Sequence, residues 1–438
     1  MHLFSIVIVC ATLTLKDAIT IALQNNQSIL FPSLINYRNA KLEYQIHRGM
    51  YYPQLRFSSW SEDDLKRYKS LLSLNEKLIP YIGTDVEFNF SINPINASEG
   101  SVGVRLAQPL SPQRVLSSYF AEKSVKYTLD MAEIQKNVAM QDLILEVVNS
   151  YFGLARIISG IKRAEESIKN TESLIEVMKV KVEGGLIAPS ELSNIYLQKN
   201  LEVANYEELI ENLRTAKEEF FRLLGIEMDD SLRLEEDVFL NIEEDLNFET
   251  CWTVALKKNP ELKLIEIQMK QVENTLKAQK LFFFPDIVFS LNYNRSFGSS
   301  SETSAPQKSL SFEWPLFTGG VLRNRKKQAE ENYKLALFNY EEFKHRLRKE
   351  IKDVLFRIQL AKKKFKLYEA SRALAVDALK VAEIKYRSGA ISYQEWYFNF
   401  QRFVEMEENY ANLKTELFLL YARLLRLMGE LTPERILK

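Results

Sequence analysis

Gly185-Leu-Ile-Ala-Pro-Ser-Glu191-Leu192 and Gly389-Ala-Ile-Ser-Tyr-Gln-Glu395-Trp396 stand 204 positions apart, and their surroundings keep that offset. After the first come Leu209, Leu213, Ala216, Phe220 and Leu223; after the second come Leu413, Leu417, Leu420, Leu424 and Leu427. Each stretch stops at a glycine, Gly225 and Gly429. Two long segments in register without a gap are one unit used twice. A Gly break followed by apolar residues spaced three and four apart predicts a helix-turn-helix hairpin with a coiled-coil seam.

The 438 residues carry 58 basic and 58 acidic side chains, so no net field draws the chain toward nucleic acid. Only 14 glycines and 12 prolines punctuate it, which implies few, long elements. Cys10 and Cys251 form neither a disulfide framework nor a metal motif, and His2, His47 and His345 lie far apart. With no Ser/His/Asp cluster and no phosphate-binding glycine loop either, no enzyme activity, cofactor or metal is expected. No run of 18 apolar residues occurs, so a transmembrane helix is not expected. Leu3–Ala11 resembles the apolar core of a secretory signal without a basic lead, so residues 1–11 are read as a signal peptide, with a buried strand as the alternative. Val9 is bulky where a lipobox wants a small residue, which argues against lipidation of Cys10.

Residues 14–49 read as helix, with Thr14 as N-cap and Ala18, Ile21 and Ala22 on an apolar face. Ala22-Leu-Gln-Asn-Asn26 returns as Ala255-Leu-Lys-Lys-Asn259, so the duplication reaches these helices too. At Pro53 and Pro285 the period changes to two. Leu55 and Phe57 alternate with polar neighbours in the first half, and Ile287, Phe289, Leu291 and Tyr293 in the second. Partner strands follow at Val102/Val104/Leu106 and Leu310/Phe312/Trp314. The first half holds a further alternating run, Val86/Phe88/Phe90/Ile92, which extends a strand, adds a hairpin or decorates a loop. Apolar residues then recur every seven positions from Met140 through Val147, Leu154 and Ile161 to Ile175 and Val182, predicting a helix over about 113–183. A helix so long must pack along its length against others. The division is therefore 12–226 as first repeat (strands about 50–110, hairpin 113–226), 227–247 as acidic linker, 248–430 as second repeat (strands about 283–316, hairpin 320–430), and 431–438 as tail.

This order resembles the TolC-like outer-membrane efflux proteins. The matching signatures are Leu15-Lys-Asp-Ala-Ile-Thr-Ile-Ala-Leu23 with Asn25-Asn26, the strand opener Tyr52-Pro53, Gln108-Pro109-Leu110 and Pro315-Leu-Phe-Thr-Gly-Gly320. Arg387-Ser-Gly-Ala-Ile-Ser392 and the exits Leu223-Leu-Gly225 and Leu427-Met-Gly429 complete them. The resemblance implies a mainly α chain with a small antiparallel β part. As a homotrimer it would form an α-barrel across the periplasm, topped by a 12-strand transmembrane β-barrel with four strands per chain in outer-membrane lipid. Trp60, Tyr293, Phe297 and Trp314 are candidates for the aromatic girdles of that barrel. The implied role is the exit duct of a tripartite efflux pump or type I secretion system. Its partners would be a periplasmic adaptor protein and an inner-membrane transporter. The alternative is a periplasmic coiled-coil scaffold without a pore, which predicts polar loops in place of the strands.

The resemblance also places a periplasmic gate at the tips of the hairpins. Glu191 and Glu395 match across the repeat, and a trimer would gather them into a ring that attracts cations. Both also suit the first turn of a helix, where a carboxylate meets the positive end of the dipole, with Ser190 and Ser392 near enough to cap. Tyr386 matches a tyrosine that ties the closed gate to a neighbouring helix, and it equally falls on the packing seam. Ile391 and Phe398 stand where an arginine and an aspartate would complete a polar lock. Gly185, Pro189 and Gly389 mark the tip turns. Tyr393, Trp396 and Tyr397 head an aromatic stripe that either fills the core or seats an adaptor hairpin.

Overall fold

The computed structural model describes residues 12–26, 28–62, 67–79, 83–92, 99–185, 188–228, 233–234, 246–298 and 305–436. The signal stretch 1–11 and most of the acidic segment 227–247 lie outside the described residues. The described chain runs β1 (Thr12–Leu13), α1 (Leu15–Asn25), α2 (Leu30–Gly49), β2 (Gln54–Glu62), β3 (Arg67–Ile79), β4 (Thr84–Ile92), β5 (Gly100–Pro109), α3 (Pro112–Glu183) and α4 (Pro189–Leu224). The second half follows as β6 (Arg233–Leu234), α5 (Phe248–Lys258), α6 (Pro260–Leu281), β7 (Asp286–Phe297), β8 (Gln307–Glu313), α7 (Val321–Arg387), α8 (Tyr393–Met428) and α9 (Pro433–Ile436). At 72 residues α3 is about 110 Å long. An 18-residue window of it, with mean hydropathy 1.3 and at most two charges, is apolar and long enough to cross a membrane. The helix also supplies Leu143, Ile144, Val147, Val148, Tyr151 and Leu154 to a buried core, which accounts for much of its apolar character.

Two compact units form, and each draws on both sequence halves. The first takes Met1–Pro32, Asn137–Asn259 and Arg346–Lys438; the second takes Ser33–Lys136 and Pro260–His345. In the first unit the hairpins are antiparallel pairs. Thr171 Oγ1 donates to Glu202 at 2.9 Å between α3 and α4, and Arg372 pairs with Glu407 at 2.6 Å between α7 and α8. The helix read over 14–49 is interrupted. Thr14 caps α1 as anticipated, accepting from Asp17 N at 3.1 Å, but the chain turns at Asn26. The buried Asn26 carboxamide donates to Leu223 O at 2.8 Å and accepts from Ile29 N at 2.8 Å. The second half repeats the first of these bonds, Asn259 Nδ2 donating to Leu427 O at 2.8 Å.

Beside each asparagine lies the glycine that ends the hairpin. Gly225 and Gly429 have φ of 69° and 72°. A Cβ on Gly225 would lie 2.5 Å from Asn25 O, and one on Gly429 would overlap Lys258 O. Only glycine meets both demands, left-handed backbone and direct contact with another backbone. The acidic segment is more than a linker, because β6 pairs in parallel with β1 and Leu234 enters the core.

The second unit holds one antiparallel sheet in the order β2-β3-β4-β5-β7-β8. The expected four strands are thus six. The extra alternating run is β4, paired with a β3 that the sequence reading missed, and the two form a hairpin between β2 and β5. The sheet joins the helices through Asp286, which accepts from Ser111 Oγ at 2.8 Å and Arg114 Nε at 2.7 Å.

Removing a buried carboxamide strands the carbonyl it served, at a cost of about 1–3 kcal/mol. Asn259→Ala is therefore expected to destabilise the protein by that amount in chemical denaturation. The exposed Gln24→Ala control should stay within about 0.5 kcal/mol of the parent.

Candidate functional site at the hairpin tips

The tips belong to the first unit. Gly185 and Gly389 take φ of 70° and 77° with no heavy atom near an added Cβ, so the left-handed turn alone calls for glycine there. Gly389 N bonds Tyr386 O at 3.0 Å and Ala390 N bonds Lys385 O at 2.9 Å, closing the end of α7. The return helices start differently. Ser392 caps α8, accepting from Glu395 N at 3.3 Å. At the other tip the cap is Ala188, with no side-chain bond, and Pro189 opens α4 with its fixed φ. Ser190 lies inside that helix and is not its cap. Glu191 and Glu395 both sit in the first turn of a helix and are exposed.

Tyr386 links the tips. It is 9% exposed and packs with Leu174, Ile175, Met178 and Ile195, donating its hydroxyl to Met178 Sδ at 3.3 Å. Lys181 Nζ stands 5.1 Å from its ring centroid, and burial, helped by the Glu191 charge, raises its pKa. On its other side begins the aromatic stripe. Tyr386 meets Trp396 at 5.8 Å, Trp396 meets Tyr393 at 5.8 Å, and Trp396 stacks on Phe400 at 5.6 Å with planes 11° apart. Ile391 packs against the same cluster, whereas Phe398 points to solvent, 60% exposed. The stripe is half core and half wall. Trp396, Phe400, Tyr386, Val177, Lys181 and Glu383 border a groove of about 740 Å³.

Glu202, on α4, was not anticipated as part of this site. It accepts from Thr171 and from Gln198 Nε2, and its charge reaches Tyr393 and Tyr397. Burial first, and Glu202 second, push Tyr397 up to about 12, against the hydrogen bond from Gln401. Tyr393 is pushed up further by burial and its hydroxyl is buried without a hydrogen-bond partner among the described residues. The sequence signal for Glu202 is its spacing of four from Gln198 on one helix face.

Outside the tips, α7 presents a stripe that the seam reading also missed. Leu360, Leu367, Leu374 and Val381 recur every seven residues and are 43–71% exposed. Of the seam expected at Leu347, Ile351, Ile358, Ala361, Phe365, Ala375, Leu379, Ala382 and Tyr386, Phe365, Ala375 and Leu379 are half-buried and the other six are buried. One helix thus carries two apolar seams, of which a single chain buries one. Among the described residues no group of three or more His, Cys, Asp or Glu is placed to hold a metal.

A model of the family described as "Outer membrane efflux protein" matches residues 253–430. The chain is 23% identical over 325 residues to "Outer membrane protein TolC" of Salmonella enteritidis, covering 69% of this chain and 64% of that protein. It is 22% identical over 303 residues to "Toxin and drug export protein A" of Aggregatibacter actinomycetemcomitans, covering 64% and 65%. The chain thus spans just under two thirds of the length of these two relatives. Among solved structures it is similar in fold to the outer membrane protein VceC of Vibrio cholerae, with TM-score 0.72, 17% identity and coverage of 95% and 96%. It is also similar to the Campylobacter jejuni CmeC outer membrane channel, with TM-score 0.73, 16% identity and coverage of 95% and 86%.

A phenol whose pKa is raised by folding stays protonated in the native state while the unfolded chain ionises. The unfolded state then binds fewer protons, so stability falls as pH rises. The contribution of Tyr397 is whole below pH 10 and is lost toward about pH 12. Tyr397→Phe should flatten the decline in melting temperature between those values, and an unchanged slope would take Tyr397 out of the buried cluster.

Proposed function

We propose, from the premise that the chain is TolC-like, that it is an outer-membrane channel reaching into the periplasm. It would serve as the exit duct of a tripartite efflux pump or type I secretion system. A duct works by enclosing a path, and it catalyses no reaction. The observation that carries this reading is the sheet. Leu55, Phe57, Phe88, Phe90, Leu310 and Phe312 stand 41–68% exposed at alternating positions of its strands. Water disfavours such a face, whereas lipid favours it. The rival reading, a scaffold without a pore, has no use for a sheet of this kind.

A single chain leaves both sheet edges open, and open edges are not tolerated in lipid. Cyclic copies close them, and a homotrimer is the assembly the resemblance implies. The exposed heptad of α7 supports the same reading. Each of its leucines gains on the order of 1.5–3 kcal/mol when a neighbouring helix covers it. In the trimer Glu191 and Glu395 would ring the periplasmic mouth and favour cations, with Tyr386 bracing the tips from behind. The groove beside Trp396 would receive an amphipathic helix of the adaptor, its apolar face against the rings. The inner-membrane transporter would select the cargo, because a wide conduit contacts its passenger little.

Cell fractionation followed by unheated detergent gels tests the assembly. A membrane-borne species of three chains is expected, and a soluble monomer would sink the reading. Glu191→Gln combined with Glu395→Gln is expected to lower cation selectivity in planar bilayers. A reversal potential that does not move would remove the two glutamates from the ring.

A further inference from the structure

Among the described residues the β3–β4 hairpin has no counterpart in the second half, where β8 is the next strand after β7. It does not decorate the sheet. It lies between β2 and β5, with eight or more residue pairs on each side. Its side chains keep the same sidedness as their neighbours. Leu55, Leu74, Phe88, Val104 and Tyr293 form one row across five strands, each directly paired to the next. Phe57, Leu72, Phe90 and Val102 form a second row beside it. The pairs Phe289–Leu310 and Ile287–Phe312 carry the apolar face to the far edge. Opposite faces alternate with a period of two, so a strand slipped by one residue would break these rows.

The other face is mostly polar through the same strands, although Val288 and, by register, Trp60 (a girdle candidate on sequence) fall on it rather than on the apolar face. Arg56, Ser73, Asn89, Gly103 and Asn294 pair in sequence, as do Asn75, Glu87, Arg105 and Asn292. Ser91 and Ser101 share a hydrogen bond of 2.7 Å across β4 and β5. Leu71 is the one large apolar residue in the hairpin on this face, set between Ser58 and Ser91. A hairpin standing out in water would have no reason to be apolar on one side in register with membrane strands. Leu72, Phe88 and Phe90 are 39–47% exposed in the single chain.

We propose that the β3–β4 hairpin is part of the membrane wall, so that three copies of this six-stranded sheet close an 18-strand barrel rather than one of 12. The proposal rests on the channel reading. The occupant of each open edge is a second copy of this chain, with β2 of one subunit beside β8 of the next. Six alternating antiparallel strands leave β2 and β8 running in opposite directions, so the new pair is antiparallel like the five within the chain. At a spacing of ~4.8 Å and a tilt of ~40°, 18 strands enclose a barrel about 36 Å across, against about 24 Å for 12. A wall of that size leaves an open aqueous channel, and its lining would be the Arg56–Asn294 face.

Spin labels distinguish the outcomes, using single cysteines in a background with Cys10→Ser and Cys251→Ser. Phe57→Cys and Phe312→Cys report on the flanking strands, Leu72→Cys and Phe90→Cys on the hairpin, and Asn89→Cys on the opposite face. In reconstituted full-length trimers the first four labels should collide several-fold more with oxygen, relative to a water-soluble nickel chelate, than the Asn89→Cys label. Lipid contact at residues 57 and 312 with water contact at 72 and 90 would overturn the proposal and leave the channel reading intact. Water contact at all four would overturn the channel reading itself. Top views of the trimer by electron cryomicroscopy should resolve 18 strands, and a count of 12 would refute the hairpin's place in the wall.

Discussion

Two buried carboxamides hold the hairpins to the helices that begin each half. Asn26 donates to Leu223 O and Asn259 to Leu427 O, both at 2.8 Å. Each bond satisfies a carbonyl that the end of a helix leaves without an intrahelical partner. Each also sets the backbone of a first-half or second-half helix against a glycine, where no side chain fits. Around the Asn26 contact lie Leu15, Ala18, Ile19, Tyr151, Phe220 and Phe418, all close to fully buried. The long hairpins are anchored here, and their free tips depend on the anchor for direction.

Much of the rest is left unfinished by one chain. The second heptad of α7 is open, and the sheet ends in two bare edges. On the proposed channel reading, both shortages have the same remedy, further copies of the chain. Hydrophobic stripes on a rod are covered by other rods, and open strands in lipid are covered by other strands. On that reading, oligomerisation completes the fold of each subunit.

The two tips are not copies of one another. Pro189 starts one return helix without a side-chain cap, while Ser392 caps the other. Only the second bears the Tyr393–Trp396–Phe400 stack, and Tyr386 ties it to Met178 of the first hairpin. The buried Tyr393 hydroxyl finds no hydrogen-bond partner among the described residues, and Tyr386, Trp396 and Phe400 border the groove at that tip.

The sequence by itself determined the duplication, the long helices and the glycine turns, because these depend on local periodicity and on backbone angles open mainly to glycine. It also determined the β7–β8 pair, whose alternation is nearly unbroken. It did not reveal β3, whose Arg67–Ile79 run mixes charged and apolar residues on both sides of the alternation. That strand is defined by its neighbours, through pairing with β2 and β4, and pairing is a long-range property. The same holds for Glu202 and for the 360–381 stripe. A carboxylate joins a site when distant elements come to meet it, and a seam is known to be exposed only once the other seam is filled. Tertiary structure decided these because burial and strand register are relations between segments, and no single segment encodes them.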